Sequence, residues 1–232
     1  IEQVWGARLE LPQLLRFGTW GGGDMDGNPN VDAATVRATL DAQRDAVLEL
    51  YGQELQRLGS VLSQSSGRVG IDAAVIARIE VYRALLPSVY LRPRHADMPY
   101  RQLLELMAAR LQATSADAAA AYPGPDDFIA DISLIHRSLL AHRGEQAGAF
   151  AVQRLLWRAR TFGFHLARLD VRQESRVHNA ALAQVLPALT DADAALRAQQ
   201  LAGYAAGVQA LPPVAAGDAE GEHAGPPFHD GD

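Results

Sequence analysis

Apolar side chains recur every three or four residues along most of this sequence, and that periodicity limits what it can fold into. One such stripe begins at Val36 and continues to Leu62. It fits one face of an amphipathic helix rather than the alternating sides of a strand. Asp32 is the expected N-cap of this helix. Gly52 and Gly59 are the points where a break in it is expected.

The same periodicity predicts further helices downstream. They cover residues 72–86, a helix with Pro99 in its first turn, a helix capped by Asp126 or Asp127, and a helix that ends before Gly163. Two weaker helices are expected at about 177–186 and 191–207. Residues 215–232 are rich in Gly, Ala, Pro and acidic residues, which favours a loop or disorder. The predicted fold class is therefore mainly α, an array of long amphipathic helices.

Residues 164–171 depart from the helical pattern. Their short apolar run favours one buried strand over a helix. A single strand cannot satisfy its own backbone hydrogen bonds, so we expect its partners to come from elsewhere.

Composition excludes several kinds of chemistry. All 21 basic residues are Arg and Cys is absent, so a Schiff-base lysine, a P-loop lysine and a thiolate site are excluded from this chain. The His residues form no metal-binding pattern. No basic run carries interleaved aromatic residues and no apolar run approaches the length of a membrane span, so neither nucleic acid nor a membrane is an expected partner. The opening Ile1 and the lack of a signal-peptide pattern suggest a fragment or a processed piece.

The first segment that the helical pattern does not explain is glycine-rich and runs from Phe17 to Pro29. Glycine occupies positions 21, 22, 23 and 27 around two aspartates. Glycine permits close approach of backbone N–H groups to an anion, so an anion-binding loop is one interpretation. A flexible linker is the other.

Calcium and nucleotide codes do not fit this segment. Asp24, Asp26 and Asn28 have the spacing that opens an EF-hand loop. However, Pro29 stands where that loop needs Gly, and Thr35 stands where it needs a bidentate Glu. No Gly-Lys-Ser/Thr sequence follows either.

The second such segment runs from Phe162 to Ser175 and ends in Arg-Gln-Glu-Ser. In a regular strand Arg168, Asp170 and Arg172 would share one face. A charged cluster at the carboxyl end of a strand is where a parallel α/β barrel carries its catalytic groups. A surface cluster of salt bridges is the alternative interpretation.

Together these two segments resemble phosphoenolpyruvate carboxylases. Residues 20–31 are similar to the family signature Trp-x-Gly-Gly-Asp-Arg-Asp-Gly-Asn-Pro, and residues 162–175 to its Phe-Gly…Arg-x-Asp-x-Arg-Gln-Glu-Ser stretch, continued by His178 and Leu182. The resemblance covers roughly residues 1–205.

The residue pattern and the resemblance together predict an organisation of the chain into five parts, the last of which rests on composition alone. Residues 1–31 would be a Gly-rich active-site loop region and residues 32–162 a helical array. Residues 163–176 would hold the substrate-binding motif and a strand that joins an α/β barrel in the full-length enzyme. Helices would follow at 177–214, and then a loop or disordered acidic tail at 215–232.

The resemblance also implies an activity and its site. The implied enzyme is a cytoplasmic homotetramer that joins bicarbonate to phosphoenolpyruvate, giving oxaloacetate and phosphate with Mg²⁺ or Mn²⁺. Arg172 would bind phosphoenolpyruvate and act in catalysis, and Trp20 would lie in a loop beside the substrates. Asp24, Asp26 and Asn28 are the candidate residues of that loop.

Departures from the family pattern limit this expectation. Met25 stands where the family usually has Arg. The family's Thr-Ala-His-Pro-Thr-Glu motif, its glycine-arginine loop and its metal-binding Glu and Asp are not in the sequence, so the metal ligands are expected outside this chain and the chain alone is expected to be inactive. A noncatalytic helical scaffold and a regulatory anion-binding module are the rival hypotheses.

Overall fold

The computed structural model describes residues 15–185. The chain divides into two compact units, Ile1–Glu174 and Ser175–Asp232. The described elements of the first unit are β1 (Gly18–Thr19), α1 (Ala33–Val61), α2 (Ala73–Leu85), a short 3₁₀ helix (Pro93–His95), α3 (Pro99–Ser115), α4 (Pro125–Ala141), a π-helical turn (Glu145–Ala149), α5 (Phe150–Phe162) and β2 (Arg168–Leu169). The described part of the second unit contains α6 (Ser175–Val185). The mainly α fold class is confirmed.

The longest helix, α1, begins where the sequence predicts and runs without a break. The Asp32 carboxylate accepts a hydrogen bond from the Thr35 backbone N–H at 2.7 Å, which is an N-cap. Gly52 and Gly59 both lie within the continuous helix, so the expected break does not occur. Buried side chains on the same helix, Leu55 among them, hold it against the core and outweigh the low helix propensity of glycine.

Two of the later helix starts agree with the sequence and one does not. Asp72 caps α2 by accepting from the Ala74 backbone N–H at 2.9 Å, and Pro99 is at the first position of α3. Helix α4 begins earlier than predicted, at Pro125, because the fixed φ of proline suits the first position of a helix. Asp126 and Asp127 therefore lie in the first turn and do not cap it, although their charges still favour the N-terminal end.

The core lies between the packed helices. Helix α1 packs chiefly along α3, α4 packs against α5, and α2 contacts both α3 and α4. The largest fully buried side chains are Leu55, Leu58, Leu62, Tyr100, Leu103, Leu106, Met107, Phe128, Ile132, Ile135 and Leu155. Among the described residues, no helix combines the length and apolarity that crossing a bilayer requires.

A polar group of five residues, the buried cluster, lies within this array: Arg78, Tyr82, Arg110, Tyr122 and Asp131. Asp131 is fully buried, pairs with Arg78, and accepts hydrogen bonds from the hydroxyls of Tyr82 at 2.5 Å and Tyr122 at 2.8 Å. Three guanidinium nitrogens of Arg110 donate to the Tyr82 hydroxyl at 2.8 Å and to two backbone carbonyls at 3.1 and 2.9 Å. The cluster ties α2, α3 and α4 together, because its members come from all three helices and the loop before α4.

The strand prediction needs two corrections. The regular strand β2 covers Arg168–Leu169 alone, since the residues before it turn sharply and Leu166 has a φ of +60°. Its partner lies in this chain, because β2 pairs in parallel with β1, with Gly18 opposite Arg168. The sequence did not predict β1, whose two residues are too short to form a pattern.

The second unit is described by one helix. Helix α6 begins at Ser175, two residues before the predicted start. The predicted helix at 191–207 and the acidic segment at 215–232 lie outside the described residues.

Candidate functional site

Backbone hydrogen bonds join the two segments that the helical pattern left unexplained. Beyond the paired strands, the Arg172 N–H donates to the Gly23 carbonyl at 2.9 Å, and the Met25 N–H donates to the Arg172 carbonyl at 2.8 Å. Asp24 and Arg172 thereby stand opposite each other in a parallel bridge. Residues far apart in the sequence are therefore held in one register.

The side chains of Arg172, Trp20 and Asp24 meet at this bridge and form the candidate site. The Arg172 guanidinium carbon lies 4.9 Å from the centre of the Trp20 ring, within the range of a cation–π contact. Its Nη1 lies 3.6 Å from Asp24 Oδ2, which is an ion pair but too long for a hydrogen bond. The Arg172 side chain is 47 % exposed. Among the described residues, no hydrogen bond uses its guanidinium, so its donors can bind a phosphate or a carboxylate bidentately.

Asp24 has one oxygen toward the arginine and one turned inward. Its Oδ1 is buried and has no hydrogen-bond partner among the described residues. A buried carboxylate oxygen without a donor costs free energy, so this atom is a position at which a further donor group would bind favourably.

The Trp20 turn packs closely on its neighbours because it contains glycine. The Gly23 N–H donates to the Trp20 carbonyl at 2.9 Å and closes the turn. Gly22 has a φ of +81°, and a Cβ on it would lie 1.9 Å from Thr39 Oγ1 of α1. A Cβ on Gly23 would lie 2.6 Å from the Asp170 carbonyl oxygen. Neither position has room for a side chain, so glycine is required at both for this turn to pack against its neighbours. The interpretation of this segment as a flexible linker therefore does not hold.

Two of the predicted loop residues lie apart from this meeting point. Asn28 Oδ1 accepts a hydrogen bond from the Asn30 backbone N–H at 3.0 Å, which is a local turn contact. Asp26 is exposed. Of the predicted site residues, the structure thus brings together Arg172, Trp20 and Asp24.

The described residues do not form a binding site for the divalent metal that the resemblance implies. Within residues 15–185, no three His, Asp or Glu side chains are grouped so that they could hold a metal ion. Asp24, the carboxylate of the candidate site, already faces a guanidinium.

Sequence reasoning missed the side chains of α1 that support the site. Thr39, Gln43 and Tyr51 are spaced by multiples of four, so they lie on one face of the helix. That spacing is visible in the sequence, but the backbone atoms that they contact are not.

These features define a class of protein: a helical array that presents an arginine, stacked on an aromatic ring, with guanidinium donors available to an anion. A sequence model of the family described as phosphoenolpyruvate carboxylase matches residues 2–200. The chain belongs to this family.

Curated relatives agree with the family match. Over 218 residues the chain is 58 % identical to the phosphoenolpyruvate carboxylase of Xanthomonas campestris pv. campestris (strain 8004), a match that covers 92 % of this chain and 24 % of the relative. It is 58 % identical to that of Xanthomonas euvesicatoria pv. vesicatoria (strain 85-10) with the same coverage of both chains. It is 40 % identical to that of Rhodopseudomonas palustris (strain HaA2), with 82 % of this chain and 21 % of the relative covered. The chain thus spans about a quarter of the length of the two Xanthomonas relatives.

Proposed function

We propose that this chain forms part of a phosphoenolpyruvate carboxylase and that Arg172 binds the phosphate of phosphoenolpyruvate. The observation that carries the proposal is the state of the Arg172 guanidinium. The bridge to the glycine-rich segment holds the Arg172 backbone, the guanidinium is stacked on Trp20, and among the described residues the guanidinium donates no hydrogen bond. Such an arginine is preorganised for an anion and loses little side-chain freedom when the anion binds.

The reaction places demands that this arginine meets. Bicarbonate attacks the phosphorus of phosphoenolpyruvate, the bond from phosphorus to the enol oxygen breaks, and carboxyphosphate and an enolate result. Carbon dioxide released from carboxyphosphate then forms a carbon–carbon bond with the enolate, giving oxaloacetate and phosphate. A guanidinium bound to the phosphoryl oxygens offsets their negative charge during the transfer.

Trp20 and Asp24 have separate roles in this proposal. The Trp20 side chain is 58 % exposed, so its ring is free to cover a bound substrate on the side opposite the core. Excluding water matters because water would protonate the enolate to pyruvate. Asp24 orients Arg172 through charge, and because it forms no hydrogen bond with the guanidinium it leaves the donors to the substrate.

The remaining parts of the activity belong to the whole enzyme. A Mg²⁺ or Mn²⁺ site, a cytoplasmic location and a homotetramer follow from the family resemblance and remain part of the proposal. The catalytic histidine and the metal ligands would come from residues outside this chain, so the chain alone is expected to be inactive.

The test uses a protein of full family length that contains this chain, the full-length protein. It is supplied with phosphoenolpyruvate, bicarbonate and Mg²⁺, and oxaloacetate is followed. We expect Arg172→Gln to lower kcat/KM by at least about tenfold, which corresponds to roughly 1.4 kcal/mol of lost transition-state stabilisation. Arg172→Lys keeps the charge but loses the bidentate geometry, so it should recover only part of the activity.

A matched control and a second readout separate the rivals. Arg83 is an exposed arginine on α2 paired with Glu80, and Arg83→Gln should leave kcat/KM unchanged. A folded full-length protein without turnover would contradict the carboxylase proposal. Binding of phosphoenolpyruvate that Arg172→Gln abolishes would then favour the anion-binding module, and no binding would favour the scaffold.

A further inference from the structure

One face of α1 contacts both segments that form the candidate site. Thr39 lies directly under Gly22 in the Trp20 turn. The Tyr51 hydroxyl, three helical turns further along, donates a hydrogen bond to the Gly163 carbonyl at 2.9 Å. Helix α1 is therefore a common support on which the relative position of Trp20 and β2 is set.

Gln43 lies between these two contacts and faces the turn that leads into β2. The Gln43 amide lies against the carbonyls of His165 and Ala167. When its nitrogen rather than its oxygen is assigned to that side, it donates to these carbonyls at 3.0 and 2.9 Å. One side chain thus holds both ends of a three-residue segment. The opposite arrangement would place the amide oxygen against both carbonyls, where it could not accept a hydrogen bond, so the nitrogen is assigned to this side.

The segment that Gln43 contacts has a strained backbone. Between the two carbonyls lies Leu166, whose φ of +60° is unfavourable for a branched side chain. Such a conformation persists where the surroundings impose it. The donor pair from Gln43 adds to that constraint, beside the Leu166 N–H that donates to the Phe162 carbonyl at 2.9 Å. Strand β2 begins at the next residue but one, Arg168.

We propose that Gln43 is a positioning residue that acts through Arg172. Its amide fixes the turn at 165–167, the turn fixes the start of β2, and β2 carries Arg172 to the bridge with Asp24 above Trp20. Among the described residues, no hydrogen bond joins Gln43 to Arg172, so any effect on the arginine passes through the turn and β2. The inference rests on the proposed function for its kinetic consequence, but the positioning itself does not depend on activity.

The kinetic test compares variants of nearly equal side-chain size in the full-length protein. Gln43→Met removes both donors, so we expect the KM for phosphoenolpyruvate to rise about five- to tenfold, with kcat changed less. Gln43→Glu, which lacks the amide donors and places a negative charge beside the two carbonyls, should raise the KM at least as much as Gln43→Met. Gln43→Lys, whose ammonium group can donate to both carbonyls, should restore most of the affinity.

The control for this helix is Gln53→Met. The Gln53 amide donates to Glu49 at 3.2 Å on the exposed side of α1, away from the turn. Losing that surface contact should leave the KM unchanged. A rise in KM as large as that of Gln43→Met would overturn the inference.

A double-mutant cycle separates positioning from general stability. If Gln43 acts through Arg172, adding Gln43→Met to Arg172→Gln should change the KM by less than about twofold, because the arginine to be positioned is gone. A full five- to tenfold effect in that background would show a merely structural role and would overturn the inference.

Hydrogen exchange tests the positioning without turnover. The amides of Arg168, Asp170 and Arg172 donate to carbonyls of the glycine-rich segment. In Gln43→Met the peptide covering residues 164–174 should exchange several times faster, and in Gln53→Met it should not. Unchanged exchange in Gln43→Met would overturn the inference while leaving the carboxylase proposal intact. A protein without turnover but with faster exchange in Gln43→Met would contradict the carboxylase proposal and support the positioning role.

Discussion

The helical array and the candidate site each place an arginine over an aromatic ring beside an aspartate. They differ in whether hydrogen bonds within the protein use the donors of that arginine. In the buried cluster, Arg110 lies 3.9 Å from the centre of the Tyr122 ring, and three of its nitrogens donate hydrogen bonds within the protein. Asp131, beside them, is fully buried. In the candidate site, the Arg172 guanidinium lies 4.9 Å from the centre of the Trp20 ring. The Arg172 side chain is half exposed, and among the described residues its guanidinium donates no hydrogen bond.

The difference shows how one set of groups serves stability in one place and, in the proposed function, binding in another. A buried arginine must have its donors satisfied by the protein, since an unsatisfied buried charge costs several kcal/mol, on the order of 3–5. An exposed arginine is solvated, so its donors can exchange water for a ligand at low cost. Burial and satisfied donors therefore mark the structural arginine, and exposure with a defined orientation marks the arginine that we propose as the ligand-binding one.

The largest expected effect comes from removing the aspartate of the buried cluster. Asp131→Ala leaves the hydroxyls of Tyr82 and Tyr122 and the guanidinium of Arg78 without their common acceptor. We expect the free energy of unfolding to fall by about 3–5 kcal/mol, measured by urea unfolding of the chain followed by circular dichroism.

The matched variant in the candidate site is Asp24→Ala. Asp24 is 39 % exposed and makes a long ion pair, so we expect a loss of less than about 1 kcal/mol. Equal losses at the two aspartates would contradict the division between a structural cluster and a binding site.

Sequence reasoning predicted the helices well because their signals are local. The apolar stripe of α1 and the caps Asp32 and Asp72 lie within a few residues of what they determine. The error at α4 was also local, since Pro125 competes with Asp126 for the start of the helix and proline prevails at the first position. The strand was drawn too long because an apolar run does not reveal the turn at Leu166, where the backbone has a positive φ.

The site was predictable in its parts and not in its assembly. The glycine-rich segment and the Arg-Gln-Glu-Ser segment stand out because neither fits a helix. That β1 would pair with β2 depends on two residues in each strand, which is too few for a sequence pattern. The contacts of Gln43 and the partners of Asp131 join residues far apart in the sequence. Spacing along one helix gives no information about them.

A smaller effect of the buried cluster should appear at high pH. Burial raises the pKa of the Tyr122 and Tyr82 hydroxyls, and likewise that of Tyr51 in the core. In the unfolded chain these hydroxyls ionise at about pH 10, whereas in the folded protein they stay protonated to a higher pH. The stability that they contribute is therefore full below about pH 10 and is lost as the pH rises toward their folded values.

Each such tyrosine should lower the free energy of unfolding by about 1.4 kcal/mol per pH unit in that window. Urea unfolding at several pH values, with tyrosinate absorbance recorded, measures the slope. Tyr122→Phe should reduce the slope by the contribution of one tyrosine, about 1.4 kcal/mol per pH unit. Trp20→Phe, a change in the candidate site, should leave the slope unchanged. A slope unaffected by Tyr122→Phe would contradict the protected state of that hydroxyl.

A last comparison distinguishes the glycines of the two regions. Gly52 lies within α1, and a Cβ added there would have no atom within 4 Å. Gly52→Ala should therefore raise the free energy of unfolding by about 0.5–1 kcal/mol, because alanine restricts the unfolded chain and favours the helix. Gly22→Ala should lower it by at least about 1–2 kcal/mol, because φ is positive and Thr39 occupies the space. Changes of opposite sign in the free energy of unfolding, measured with urea, would show that Gly52 in α1 is replaceable. They would also show that Gly22 in the Trp20 turn is required, because α1 approaches it closely. Equal gains at both positions would mean that the turn does not need that approach to hold Trp20 beside Arg172.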